Sequence, residues 1–273
     1  MPDTRRGQAE QRVLFAIVQS MIFRRRTTRH RPCAPDDRRV YAIGDVHGRL
    51  DLLTDLVARI DADDRARSPA AATTLVLLGD LVDRGPDSAG VVRFLRDLAI
   101  SGRFDLRLIM GNHEELLLLA AAGDAKAMRV LMRTGGEATL RSFGLHDEEI
   151  GQGSYADLAQ LLRDRLPTED LDFLRRGENM IVFGDYAFVH AGIRPGVPLD
   201  AQASEDLRWI RSEFLESTRN HGKIVIHGHT PTADVAERHN RIGIDTGAYA
   251  TGRLTAIGLS GEDRWFLATG EDA

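Results

Sequence analysis

Thr74-Leu75-Val76-Leu77-Leu78-Gly79-Asp80-Leu81-Val82-Asp83-Arg84-Gly85 joins an apolar run to a glycine and then to a loop carrying two carboxylates and an arginine. A short, near-continuous apolar run closed by glycine reads as a strand buried on both faces. The same order occurs twice more. Residues 40–43 precede Gly44-Asp45-Val46-His47-Gly48, and residues 106–110 precede Gly111-Asn112-His113-Glu114. Each loop leads into a segment with helical character. Positions 52, 53, 56, 57 and 60 are apolar, as are 91, 92, 95, 98 and 99, and both spacings mark one helical face. Residues 114–122 are rich in leucine and alanine, which favour helix. Three strand–loop–helix units predict an α/β fold, and in such sheets sequence-distant residues meet beyond the strand ends.

Downstream the pattern changes twice. Residues 123–178 have helical stretches broken at Gly135-Gly136, which predicts a helical insertion beside the site, the two glycines supplying a backbone turn. Short runs at 180–183, 186–190, 223–226, 241–244, 253–259 and 265–268, separated by glycine-containing turns, predict a strand-rich second half. Gly184-Asp185, between two of these runs, reads as a plain hairpin turn.

Among 273 residues, 42% are hydrophobic and 28% charged, the balance of a globular chain with a sizeable core. We read residues 38–273 as one catalytic domain and residues 1–37 as a basic extension. A lone cysteine, Cys33, cannot form an internal disulfide, which suits a reducing compartment such as the cytoplasm. Residues 1–39 hold ten arginines against four acidic residues, while the whole chain carries −5, so the body is acidic. That balance argues against a nucleic-acid partner, because phosphate backbones are captured by basic surface. The only lysines, Lys126 and Lys223, lie outside any phosphate-cradling glycine loop, which excludes that nucleotide site. The apolar stretch 13–23 is shorter than the roughly twenty residues a membrane span needs. Followed by Arg24-Arg25-Arg26, it reads as a short amphipathic helix capable of weak contact with an anionic membrane surface or a protein.

Asp45, His47, Asp80, Asn112, His190 and His229 each sit at the end of an apolar run. Carboxylate, amide oxygen and imidazole suit two divalent ions, manganese first, with iron or zinc as alternatives. Asp80 can bridge the pair, with Asp45 and His47 on one side and Asn112, His190 and His229 on the other. His113 is placed to donate a proton to a leaving group, oriented by Asp83. Arg84 can clamp phosphate oxygens in bidentate fashion, Asn112 can share in phosphate binding, and Arg211 is a second clamp candidate against the plainer reading of a surface ion pair. His227, two residues before His229, reads as a supporting or core group, and His30, His146, His221 and His239 as incidental.

These motifs, with His190-Ala191-Gly192 and Gly228-His229-Thr230-Pro231, resemble the calcineurin-like metallophosphoesterases over residues 39–260. Within that superfamily they are similar to the phosphoprotein phosphatases, in particular the bacterial serine/threonine branch that includes bacteriophage lambda phosphatase. The resemblance implies a four-layer sandwich of two mixed sheets flanked by helices. It repeats the ligand set above, with His113 and Asp83 as the acid pair and Arg84 and Arg211 on phosphate. It implies a protein serine/threonine phosphatase using a dinuclear metal-activated hydroxide on a phosphoprotein or small phosphorylated substrate. Symmetrical hydrolysis of dinucleoside tetraphosphates is the enzymatic alternative. That branch typically has Ala in place of Asp83 and Asp in place of Glu114. A non-catalytic phosphate-binding scaffold is the alternative of another class.

Overall fold

The first strand, β1 (Arg38–Ile43), points Val40 and Ala42 one way and Tyr41 and Ile43 the other, and all four are fully buried. A strand apolar on both sides needs cover on both sides, and that requirement organises the molecule. The computed structural model describes residues 31–67, 69 and 72–270. Helix α1 (Leu50–Ala66) carries the chain back to β2 (Ala72–Leu77), which pairs parallel to β1 with Val40 opposite Thr74. Helix α2 (Ser88–Ser101) starts where Asp87 accepts from the Gly90 amide at 2.7 Å and stops at left-handed Gly102. Strand β3 (Asp105–Leu108) then adds in parallel to β2.

Five helices follow α3 (Asn112–Ala121) before the next strand: α4 (Ala125–Arg133), α5 (Gly136–Ser142), α6 (Asp147–Gln152), α7 (Tyr155–Arg165) and α8 (Thr168–Leu174). The second half supplies β4 (Ile181–Phe183) and β5 (Tyr186–Phe188), then α9 (Ser204–Trp209), α10 (Ser212–Leu215) and β6 (Ile224–His227). Next come β7 (Ala236–Glu237), β8 (Arg241–Gly243), α11 (Ala248–Thr251), β9 (Thr255–Ser260) and β10 (Asp263–Ala268). Gly184-Asp185 forms the hairpin between antiparallel β4 and β5, with Gly184 at φ +54°. Strand β7 has no counterpart in the sequence reading, since Ala236-Glu237 is too short to show a period.

Among the described residues the strands make two mixed five-stranded sheets, ordered β10-β9-β1-β2-β3 and β4-β5-β6-β8-β7. Three apolar clusters show how they stack. Val40, Ala42, Val76 and Ile257 from the first sheet meet Phe188, Ile226 and Ile242 from the second. Tyr41, Ile43, Leu75 and Leu77, on the opposite face, pack under α1, α2 and the helical segment. Val189 and Val225, on the outer face of the second sheet, pack under Leu207, Ile210 and Phe214 of the α9–α10 region. The result is the expected α/β/β/α sandwich.

The packed unit starts at Pro32, ahead of the expected start at residue 38. The Cys33 amide donates to Asp185 at 3.0 Å, the Ala34 amide to Gly261 O at 2.8 Å, and Ala34 is buried between the sheets. The expected tail helix at 13–23 and its arginines lie outside the described residues. No described helix is long and apolar enough to cross a membrane.

Candidate active site

Strand ends from both sheets converge. Asp45 and His47 follow β1, Asp80 to Arg84 follow β2, and Asn112 and His113 open α3 just beyond β3. His190 follows β5 and His229 follows β6 in the second sheet. The loops are held in shapes that ordinary residues avoid. Among the described residues five non-glycine residues have positive φ, namely His47 (45°), Asp80 (50°), Asp83 (73°), Arg84 (68°) and His229 (66°), and all five are among the predicted site residues. Left-handed backbone at a non-glycine residue costs on the order of 1–2 kcal/mol, so surrounding bonds must enforce it. Glu114 does much of this. Its buried carboxylate accepts from the amides of Asp80 at 2.7 Å, Leu81 at 2.8 Å and Gly111 at 3.1 Å.

The imidazoles are fixed one nitrogen at a time. His47 Nδ1 donates to Val82 O at 2.9 Å and His190 Nδ1 to Leu78 O at 2.8 Å, so each Nε2 presents a lone pair to the site. His190 Nε2 lies 2.8 Å from Asn112 Oδ1, 3.2 Å from His229 Nδ1 and 3.3 Å from Asp80. Buried acceptors gathered this closely are the signature of a cation site. Ligand atoms of Asp80, His190 and His229 fall within 4.8 Å of one another, and so do those of His47, Asp80 and His113. Asp80 belongs to both groups. Buried Asp45 Oδ1 and His229 Nε2 have no protein partner. The donors therefore suit a dinuclear site for divalent metal ions, which Asp80 would serve from both groups.

One expected pairing differs. Asp45 is outside both groups, and His113 stands with His47 and Asp80 instead. The cause is that Asp45 Oδ2 accepts from the His229 amide at 2.9 Å, while a Cβ on Gly228 would overlap Oδ1, so the carboxylate is turned toward the His229 loop.

Burial holds His47 and His229 at about 3, far below the ordinary histidine value, so both are neutral and ready to ligate. Burial also disfavours the charged form of His113, but Asp80 and the hydrogen-bonded Asp83 outweigh it and raise its pKa. His113 Nδ1 donates to Asp83 Oδ2 at 2.6 Å, and Asp83 Oδ1 accepts from Thr139 at 2.6 Å. Arg84 donates to Nε2 of His47 at 2.8 Å and stands 3.2 Å from Nε2 of His113, placing its guanidinium over these two rings. The Arg84 amide donates to Gly135 O at 3.0 Å, and a Cβ on Gly135, at φ +109°, would press on the Arg84 side chain. The Gly135-Gly136 turn thus shapes the site through backbone. Arg211 is less engaged, reaching Thr230 Oγ1 at 3.5 Å at the exposed rim. His227 is buried against Phe214, and its Nδ1 lies 3.1 Å from Gly228 O.

The sequence profile of the calcineurin-like phosphoesterases matches residues 38–255. This chain belongs to the calcineurin-like phosphoesterase family. Its two donor sets suit a pair of metal ions. The chain is 32% identical over 157 residues to a symmetrical bis(5'-nucleosyl)-tetraphosphatase of Nitrosospira multiformis, covering 57% of this chain and 44% of that relative. It thus spans less than half the length of that relative. Among solved structures, a candidate diadenosine tetraphosphatase superposes with a TM-score of 0.57 at 25% identity, covering 84% of this chain and 93% of that one. A Saccharomyces cerevisiae protein serine/threonine phosphatase superposes at 0.55 with 15% identity over 85% of this chain and 80% of the other, a likeness of fold.

Within this phosphoesterase several site residues escape sequence reading. Thr139 reaches Asp83 from helix α5, 56 residues away, with no local pattern to announce it. Asp245 is buried beside Asp45, and burial pushes its carboxyl up to about 6. It follows β8 as Asp45 and Asp80 follow β1 and β2, so the strand-end rule could have found it. Tyr249, four residues later, sets its ring edge-on to His47 at 5.4 Å and beneath Arg84 at 4.7 Å.

Proposed function

We propose that this metallophosphoesterase cleaves dinucleoside tetraphosphates symmetrically, with Arg84 holding phosphate oxygens and His113 facing the leaving oxygen. The observation that carries the chemistry is the pair of donor groups sharing Asp80, with Arg84 set against His47 and His113 of one of them. Two divalent ions held there would activate the attacking water and polarise the phosphoryl group. The chain's own part is geometric. The Arg84 guanidinium offers paired donors to phosphate oxygens, Arg211 and Asn112 add contacts at the opposite side, and His113 holds a proton on the ring that Asp83 orients. The substrate class rests on the tetraphosphatase relatives, whose names support it better than they support a protein phosphatase.

A second reading has one specific observation behind it. The Asp83–His113 bond at 2.6 Å supplies a general acid, which a poor leaving group such as a seryl or threonyl alkoxide requires and a nucleoside diphosphate does not. Asp83 and Glu114 therefore support hydrolysis of phosphoserine and phosphothreonine, as expected from the phosphoprotein phosphatase resemblance. Manganese-loaded protein should be assayed with diadenosine tetraphosphate and with a phosphoserine peptide. ADP as sole product, at a kcat/KM well above that for the peptide, is the expected result. Preference for the peptide moves the assignment to the second reading, and turnover of neither ends both.

A further inference from the structure

Beside Arg84 lies a recess of about 760 Å³ that the phosphate chemistry leaves unused. Arg49, Leu50, Thr54, Arg84, Pro86 and Tyr249 contribute to its walls. That volume falls in the range of small-molecule sites. Tyr249 is 40% exposed although it lies against both His47 and Arg84. It is also held in place. Helix α11, which carries it, is a single turn between left-handed Gly247 and Gly252, and Arg49 Nη1 donates to Ala248 O at 2.9 Å.

The charges around this space already have partners. Arg49 makes paired bonds to Asp51 at 2.9 and 2.7 Å, Asp87 caps α2, and Arg84 faces the imidazoles. What remains is an aromatic ring and two apolar side chains, the Thr54 hydroxyl being taken up by the Leu50 and Asp51 carbonyls. Such a surface suits a flat, uncharged ring better than a second phosphate or a charged peptide side chain. We infer that the recess binds the nucleobase of a nucleotide substrate, stacked at Tyr249, with its phosphates running past Arg84 to the Asp80 centre. This deepens the dinucleoside reading and rests on it for the choice of ligand.

Calorimetric titration of the manganese-loaded protein tests it without relying on turnover. ADP and methyl diphosphate carry the same phosphates, and only ADP has a base. ADP should bind about tenfold more tightly, the scale of one base–aromatic stack. Tyr249→Leu should bring the two affinities together and Tyr249→Phe should keep them apart. Thr54→Trp, on the exposed side of α1, should close the gap by filling the recess and so covers a Tyr249→Leu variant that fails to fold. Equal affinities in the native protein, or a gap that survives both Tyr249→Leu and Thr54→Trp, overturn the proposal. Tetraphosphate hydrolysis measured in parallel separates the two claims. An ADP preference without that hydrolysis removes the substrate reading and keeps the base site. Hydrolysis without an ADP preference does the reverse.

Discussion

His113 gives its two ring nitrogens to different neighbours, Nδ1 to Asp83 and Nε2 to the side where Arg84 and Asp80 lie, and this asymmetry decides what its removal costs. If the ring protonates a leaving oxygen, substitution hurts most where the leaving group is a strong base. His113→Asn should lower kcat for an alkyl phosphate by about 10²–10⁴-fold while an aryl phosphate with a good leaving group loses far less. Equal losses on both would show that His113 serves the site in another way. The convergence of the six candidate positions was legible because each ends an apolar run, so local pattern and chemistry coincide. Glu114 was legible only as a motif letter. Its grip on the Asp80 and Leu81 amides spans more than thirty residues, and no periodicity encodes a contact of that kind.

At the scale of elements, helix α5 reaches the centre through one side chain. Thr139 accepts from the buried Asp83 amide at 2.8 Å and donates to the Asp83 carboxylate at 2.6 Å. Thr139→Val keeps the shape and deletes both bonds; the Asp83 amide retains Ser88 Oγ at 3.0 Å, while the Asp83 Oδ1 loses its hydroxyl donor. Unsatisfied buried groups cost about 1–3 kcal/mol each, so urea unfolding should show a loss of that order. Thr139→Ser should restore most of it, and an unchanged midpoint in Thr139→Val would refute the coupling. A second link ties α1 to the start of the first sheet. Burial works against ionisation of Asp64, but bonds from Arg103, Arg39 and Thr73 outweigh it and hold its pKa below the ordinary 3.8. A carboxylate depressed in the folded state adds stability above the unfolded value, and that gain is lost as pH falls through 3.8 toward the folded value. Thermal midpoints should therefore drop on acidification, and Asp64→Asn should start lower at neutral pH with a shallower acid limb. An identical acid limb in the variant would count against it. Strand and helix placements were readable because buried strands and one-sided helices have periods. β7 and the rim turn bearing Tyr249 have none, since two- and four-residue elements are set by tertiary contact.

At the scale of the whole molecule, the expected ligands come from both sheets, Asp45, Asp80 and Asn112 from the first and His190 and His229 from the second. Metal held by these residues would bridge two layers that otherwise meet through an apolar seam. Ligand at about a hundred times its dissociation constant stabilises by about 2.7 kcal/mol, and a chain of this size moves by about 2–4 °C per kcal/mol. Chelation should lower the melting temperature by about 5–10 °C, and manganese should fail to restore it in Asp80→Asn. Equal melting temperatures with and without chelator would argue against a metal pair that spans the seam. The fold class was legible because both sheets advertise buried strands. The way the sheets face each other was implied by family resemblance alone, since no local pattern specifies which apolar face meets which. The five left-handed backbones at His47, Asp80, Asp83, Arg84 and His229 carry a further consequence for descent. Each weighs against stability by on the order of 1–2 kcal/mol, so mutational drift in a lineage released from catalysis would erode them first, through glycine replacement that relaxes the loops. A descendant that had lost its activity would be recognisable by glycines at these five positions and a higher melting temperature, well before its core changed.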